Sequence, residues 1–207
     1  VTRCKSGLRA LLRSHGLKAP RGLWTRRGLA WLTDLDLPTL AATVKRDLLL
    51  EELATLTRQV RRITEALDGI GGRHPGVILL QTIPGVGPRT AETIVAYIDD
   101  PNRFDRAHQV GSYFGLVPRQ DASAGVNRLG QITKDGPATA RKYLTEAAWQ
   151  AMRRSPKVQA YFQRIQQDQP ERRKKALVAT AHWLVRCMWA MLRTGEVWRD
   201  ADLVMHL

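Results

Sequence analysis

Apolar residues recur along this chain mostly at helical intervals, with polar residues filling the positions between them. Leu8, Leu11 and Leu12 share one helical face until Gly16 interrupts it, and Trp24, Leu29, Trp31 and Leu32 form a second cluster that Pro38 closes. Residues 1–38 are therefore expected to form two short basic helices, a lead-in whose pattern is already under way at Val1, as in a cut from a longer chain. From Leu49 the spacing becomes regular: Leu49, Leu53, Leu56, Val60, Ile63, Leu67 and Ile70 follow at intervals of 4, 3, 4, 3, 4 and 3. That is an a/d seam held for about three heptads, with Glu51, Glu52, Arg58, Arg61, Arg62 and Glu65 outside it. A 3.5-residue period keeps one narrow stripe turned toward a partner helix. The partner is either another helix of the same chain or the same segment of a second protomer. The second reading is preferred, so residues 49–70 are expected to join a homo-oligomer.

Gly69, Gly71, Gly72 and Pro75 then break the helical pattern and predict a hinge. Beyond it, Leu144, Ala147, Ala148 and Ala151 lie on one face of a helix over 141–154, where small side chains allow close packing. Leu177, Val178, Leu184, Val185 and Met188, with Trp183 and Trp189, predict a core helix over 171–193. The expected fold is mainly α. It comprises a basic helical lead-in (1–38), a long coiled-coil helix (39–72) and a compact helical domain (73–207).

Charge narrows the function. Thirty-three Lys and Arg against nineteen Asp and Glu leave a formal charge of +14, and a surface this basic attracts polyanions, nucleic acid first among them. No stretch approaches the ~18 consecutive apolar residues of a membrane span, so no membrane partner is expected. The first thirty residues are studded with Arg and lack the apolar stretch of a secretory signal, which makes a cytoplasmic protein the default. Cys4 and Cys187 stand far apart without a CxxC pattern, and the five His are scattered, so no metal site is expected in this chain. Asp99 and Asp100 are read as the end of a helix and Asp105 as the cap of the next, rather than, with Asp121, as metal ligands.

Between the hinge and the last helices lies Ile83-Pro84-Gly85-Val86-Gly87-Pro88-Arg89, which resembles a helix-hairpin-helix element. Glycines permit a tight hairpin, and proline suits the first turn of the second helix. Backbone N–H groups of Gly85, Val86 and Gly87 and the side chain of Arg89 are then candidates to hold a phosphate oxygen without reading sequence. The alternative is a plain packing corner between two helices. The run Arg172-Arg173-Lys174-Lys175 is likewise either a solvated face or an extension of a phosphate track.

After the hairpin the chain reads Gly115-Leu116-Val117-Pro118-Arg119, then Ser123-Ala124-Gly125, then Arg128 and Gly130-Gln131-Ile132-Thr133-Lys134-Asp135-Gly136, then Arg141-Lys142-Tyr143-Leu144. These spaced motifs, in this order, resemble the insertion-sequence 110/116/902 family of transposases over roughly residues 40–195. Ala124 stands where that family usually has glycine. The resemblance implies a DNA recombinase in which Ser123 is the nucleophile on a DNA phosphate, carried on a glycine-rich loop. Arg119, Arg128, Lys134 and Arg141 would surround that phosphate and offset charge developing on its oxygens. It further implies DNA and a noncoding guide RNA as partners. An N-terminal acidic domain, absent from these residues, would hold Mg²⁺, and no cofactor is expected in this chain itself. Residues 121–125 read DASAG, which is not the GxSxG elbow of a hydrolase. Two competing readings remain: a non-catalytic helix-hairpin-helix module that grips DNA or a junction, and a dimerising adaptor in which the coiled coil is the function.

Overall fold

A computed structural model of the chain describes the backbone at residues 1–123 and 126–200, and side chains at those residues outside 120–129. The described residues form two compact units, Val1–Leu67 and Asp68 onward.

In the first unit, α1 (Thr2–Ser14) buries Cys4, Leu8, Leu11 and Leu12. It stops at Gly16, which adopts the left-handed φ of 68° that an L side chain resists, and the Leu17 N–H returns to the Leu12 carbonyl at 2.9 Å. Helix α2 (Arg26–Thr33) begins where Thr25 Oγ1 accepts from the Gly28 N–H at 3.2 Å, satisfying one of the orphan donors of a helix start. Helix α3 (Leu40–Gly71) begins the same way, with Thr39 Oγ1 accepting from the Ala42 N–H at 3.2 Å. The core is Cys4, Leu8, Leu12, Leu23, Leu32 and Leu53, with Leu49, Leu50 and Leu56 packed against it. Each fully buried leucine contributes roughly 1.5–3 kcal/mol.

The heptad seam is thereby divided. Leu49, Leu53 and Leu56 face helices of their own chain, whereas Val60, Ile63, Leu67 and Ile70 are 54%, 60%, 39% and 69% exposed. The lead-in helices and the first half of the seam thus share one core, which is why the first unit runs past residue 38 to Leu67.

The second unit is assembled around α9 (Arg173–Thr194), which buries Ala176, Thr180, Ala181, Leu184, Val185, Met188, Trp189 and Met191. Against it pack α4 (Pro75–Leu80), α6 (Ala107–Tyr113), α7 (Ala138–Ala151) and α8 (Pro156–Gln166), while α5 (Pro88–Ile98) packs on α4 and α7. Ala140, Ala147, Ala148 and Ala151 are the buried face of α7 with Leu144, so its backbone approaches its neighbours closely. A 3-10 turn at Pro101–Arg103 is tied to α9 by Trp189 Nε1, which donates to the Pro101 carbonyl at 2.8 Å.

Two local expectations are revised. The stretch after Val117 is an antiparallel hairpin, β1 (Pro118–Ser123) paired with β2 (Val126–Ile132), rather than an open loop. Asp105 does not cap α6; the residue before that helix is Arg106, whose N–H donates to Gln109 Oε1 at 3.2 Å. Asp99 does end α5, at a φ of 54°, and Asp100 accepts from the Asn102 N–H at 2.8 Å to begin the 3-10 turn.

Candidate nucleic-acid interface

The segment between α4 and α5 turns tightly, with the Val86 N–H donating to the Ile83 carbonyl at 3.0 Å. Ile83 and Val86 are buried and anchor the turn in the core, and with its N–H already given to Ile83, Val86 has no backbone donor left for the phosphate expected there. The two glycines differ. Gly85 has φ +93°, and a Cβ built on it would lie 2.6 Å from the Ala151 backbone nitrogen, so its bareness serves packing against α7. Gly87, by contrast, is exposed, with nothing within 4 Å of where its Cβ would be. It immediately precedes Pro88, the first residue of α5. The first N–H groups of a helix lack intrahelical carbonyl partners; here Pro88 has no N–H and Thr90 is buried, so the open space stands beside Gly87 at the very start of the helix. Arg89 is engaged locally: its Nη1 donates to Glu92 Oε2 at 2.5 Å, and it pairs with Asp68. A phosphate at this place would have to draw Arg89 from two carboxylates.

The hairpin that follows has a firm base. Gly115, at φ +63°, crosses the backbone of Asp135, and Gly136, at φ +76°, crosses that of Tyr113; a Cβ on either would overlap main chain. Arg141 closes this crossing, its Nη1 donating to the carbonyls of Asp135 at 2.7 Å and Gly136 at 2.9 Å, with Phe114 at 3.4 Å. Arg141 is thus committed to backbone, while Arg119 and Lys134 are exposed cations at the hairpin's foot. From there β1 pairs with β2 in a register that sets Asp121 opposite Arg128 and Ser123 opposite Val126. Ser123 is the last residue of β1, farthest from the base. The side chains of Ser123 and Arg128 lie outside the described residues.

The model of the transposase family IS116/IS110/IS902 matches residues 78–163, which contain the turn before α5, the glycine crossing, both strands and α7. It is this transposase family that the chain resembles. A relative from Pseudomonas aeruginosa named "Probable family 20 transposase" is 30% identical over 93% of this chain and 59% of its own length. The transposase for insertion sequence element IS1111A of Coxiella burnetii is 29% identical over 93% of the chain and 54% of its own length. The pilin gene-inverting protein of Moraxella lacunata is 29% identical over 57% of the chain and 37% of its own length. The chain therefore spans about half the length of the transposases it matches.

Further features of the second unit are not apparent from the sequence. Trp149 on α7 is half-buried, with the Arg153 guanidinium 4.7 Å and the Arg173 guanidinium 4.6 Å from its ring centre. The Trp149–Arg153 spacing of i, i+4 was visible in the sequence; Arg173 reaches the ring only through the packing of α9. Among the described residues no three or more His, Cys, Asp or Glu stand together as a metal site. No helix among them is long and apolar enough to cross a membrane. Burial pushes the Cys187 thiol up to about 11, which keeps it protonated and unreactive. Burial, with the Arg186 charge beside it, holds His182 below the usual histidine value.

Proposed function

We propose that this chain is the DNA-handling, serine-bearing part of a transposase that attacks a DNA phosphate with Ser123. The observation that carries the reading is the family match across residues 78–163, which includes the hairpin bearing Ser123. The names of relatives support the same chemistry, since transposition and gene inversion both cut and rejoin DNA. The open N-terminus of α5 at Gly87 and the exposed Arg119 and Lys134 would position duplex backbone, and a formal charge of +14 supplies the attraction.

In the proposed step the Ser123 oxygen forms a bond to phosphorus as a bond from phosphorus to a deoxyribose oxygen breaks, leaving a phosphoserine link. The serine proton is lost to a base, and the departing oxygen gains one. Arg119, Arg128 and Lys134 would stabilise the charge on the phosphoryl oxygens, while Arg141 holds the hairpin's base in place. A noncoding guide RNA is proposed as a second polyanion partner and Mg²⁺ as a cofactor bound outside this chain. The exposed Val60, Ile63, Leu67 and Ile70 are proposed to join protomers.

The test uses full-length protein. Wild type should bind duplex DNA with an affinity that falls steeply with salt and should leave a covalent protein–DNA adduct on denaturing gels. Ser123→Ala should retain the binding and lose both adduct and recombination, because a nucleophile contributes to the transition state rather than to ground-state affinity. A recombining Ser123→Ala protein would refute the assignment and leave the domain as a DNA grip.

A further inference from the structure

Beside the turn before α5 lies an open cavity of about 400 Å³. Its lining includes Gly85, Thr90, Thr145, Glu146, Trp149 and Gln150. Its makeup is uneven in a way that bears on its ligand. Trp149 supplies an aromatic wall, and Arg153 and Arg173 flank that ring, both exposed. Neither arginine has a carboxylate partner among the described residues. Stacking on an indole holds a guanidinium plane in place while leaving its N–H edges free for phosphate. Arg172, Lys174 and Lys175 continue the basic run at the start of α9.

Within this basic rim stands one carboxylate. Glu146 is 59% exposed, and its nearest cation, Lys142, is 4.0 Å away, so it is held only loosely. A carboxylate here would oppose a bare phosphate track. It suits a nucleobase edge, because carboxylates accept hydrogen bonds from exocyclic amino groups such as that of cytosine. Gln150 and the two threonines add further donors and acceptors of base-edge type. Gly85, on the rim, is two residues from the open Gly87, so a strand laid along the start of α5 can deliver a base to the cavity.

We propose that this cavity receives one unpaired nucleobase of a DNA strand, walled by Trp149 and read by Glu146, with the flanking phosphates on Arg153 and Arg173. The inference rests on the reading of this chain as a DNA-handling protein, and adds to it a site for a base displaced from the duplex. Extruding a base costs stacking and pairing, least where it is already unpaired, so the site should favour DNA carrying an unpaired nucleotide. Glu146 should favour a base with an amino edge, cytosine over thymine.

The experiment measures affinity of the 207-residue chain for three short duplexes: fully paired, with one bulged cytosine, and with one bulged thymine. Wild type is expected to bind the cytosine bulge about tenfold tighter than the paired duplex, the scale of one base–aromatic contact. Trp149→Ala should bring that ratio close to one. Glu146→Gln, at an exposed position where folding is not at risk, should leave a bulge preference but erase the choice of cytosine over thymine. The Glu146→Gln result decides the matter if Trp149→Ala does not fold. A wild-type ratio near one, or ratios unchanged in both variants, would overturn the base site while leaving duplex binding in place. Failure of wild type to bind any of the three would overturn the DNA reading itself.

Discussion

Gly85 and Ala151 meet backbone to backbone, since a Cβ on Gly85 would come within 2.6 Å of the Ala151 amide nitrogen. This contact separates the two hairpin glycines by role. Gly85→Ala combines a positive φ with a main-chain clash and should destabilise the second unit by about 2 kcal/mol or more. Gly87→Val meets open space at a negative φ of −87° and should leave thermal stability nearly unchanged. Its side chain should instead hinder the approach of a phosphate and weaken duplex binding. Melting curves paired with DNA titrations would check this; a Gly87→Val protein that binds as wild type removes the α5 N-terminus from the interface.

Arg141 serves the hairpin through three carbonyls. Removing it strands acceptors at a point where two chain segments cross, and Arg141→Ala should cost roughly 1–3 kcal/mol. Arg141→Lys should recover little, because an ammonium lacks the planar fork. Hydrogen exchange at the β1–β2 amides should rise in both variants before global unfolding. If exchange there is unchanged while DNA affinity drops, Arg141 acts on phosphate directly.

The divided seam yields a contrast between two substitutions of one kind. Leu56 is half-buried against the core of the first unit, so Leu56→Asp should lower stability by about 1–3 kcal/mol, because it removes an apolar contact and sets a charge in its place. Ile63 is 60% exposed, so Ile63→Asp should leave the fold intact and abolish self-association. Sedimentation at micromolar concentration reads the second effect. A wild-type chain that sediments as a monomer would discard the proposed oligomer.

His182 gives the fold a dependence on pH. Its Nε2 is buried without a hydrogen-bond partner among the described residues, and the imidazole occupies the space that a Cβ on Gly111 would fill. Its folded value lies below the ordinary 6.5, so the unfolded chain takes up the proton first as pH falls. The stability it contributes is complete above about pH 6.5 and is lost as pH falls through the lowered value. Thermal melts from pH 7.5 to 5 should show the decline, and His182→Gln should flatten it. An unchanged slope in that variant would place the effect on another group.

Periodicity alone determined several of the helices here, though not α6 or α8. The spacing of Leu8, Leu11 and Leu12, of Leu144, Ala147 and Ala148, and of Leu184, Val185 and Met188 places apolar side chains on one face at 3.6 residues per turn, a local property that needs no knowledge of neighbours. The spaced glycine and arginine motifs were equally visible and led to the transposase family. Partnership was not. Nothing in the seam from Leu49 to Ile70 distinguishes Leu49, Leu53 and Leu56, which meet α1 and α2, from Val60, Ile63, Leu67 and Ile70, which are left exposed, because an a/d stripe specifies a partner helix without specifying whose. The same limit applies to the site residues. Gly85 and Gly87 are alike in sequence, yet one is held by α7 and the other is open. Arg119 and Arg141 carry equal charge, yet one is exposed at the surface and the other grips three carbonyls. Arg173 joins Trp149 across 24 residues of chain only because α9 packs on α7. Helix formation follows from near neighbours along the chain, whereas the availability of a charge or a backbone amide depends on what folding brings beside it.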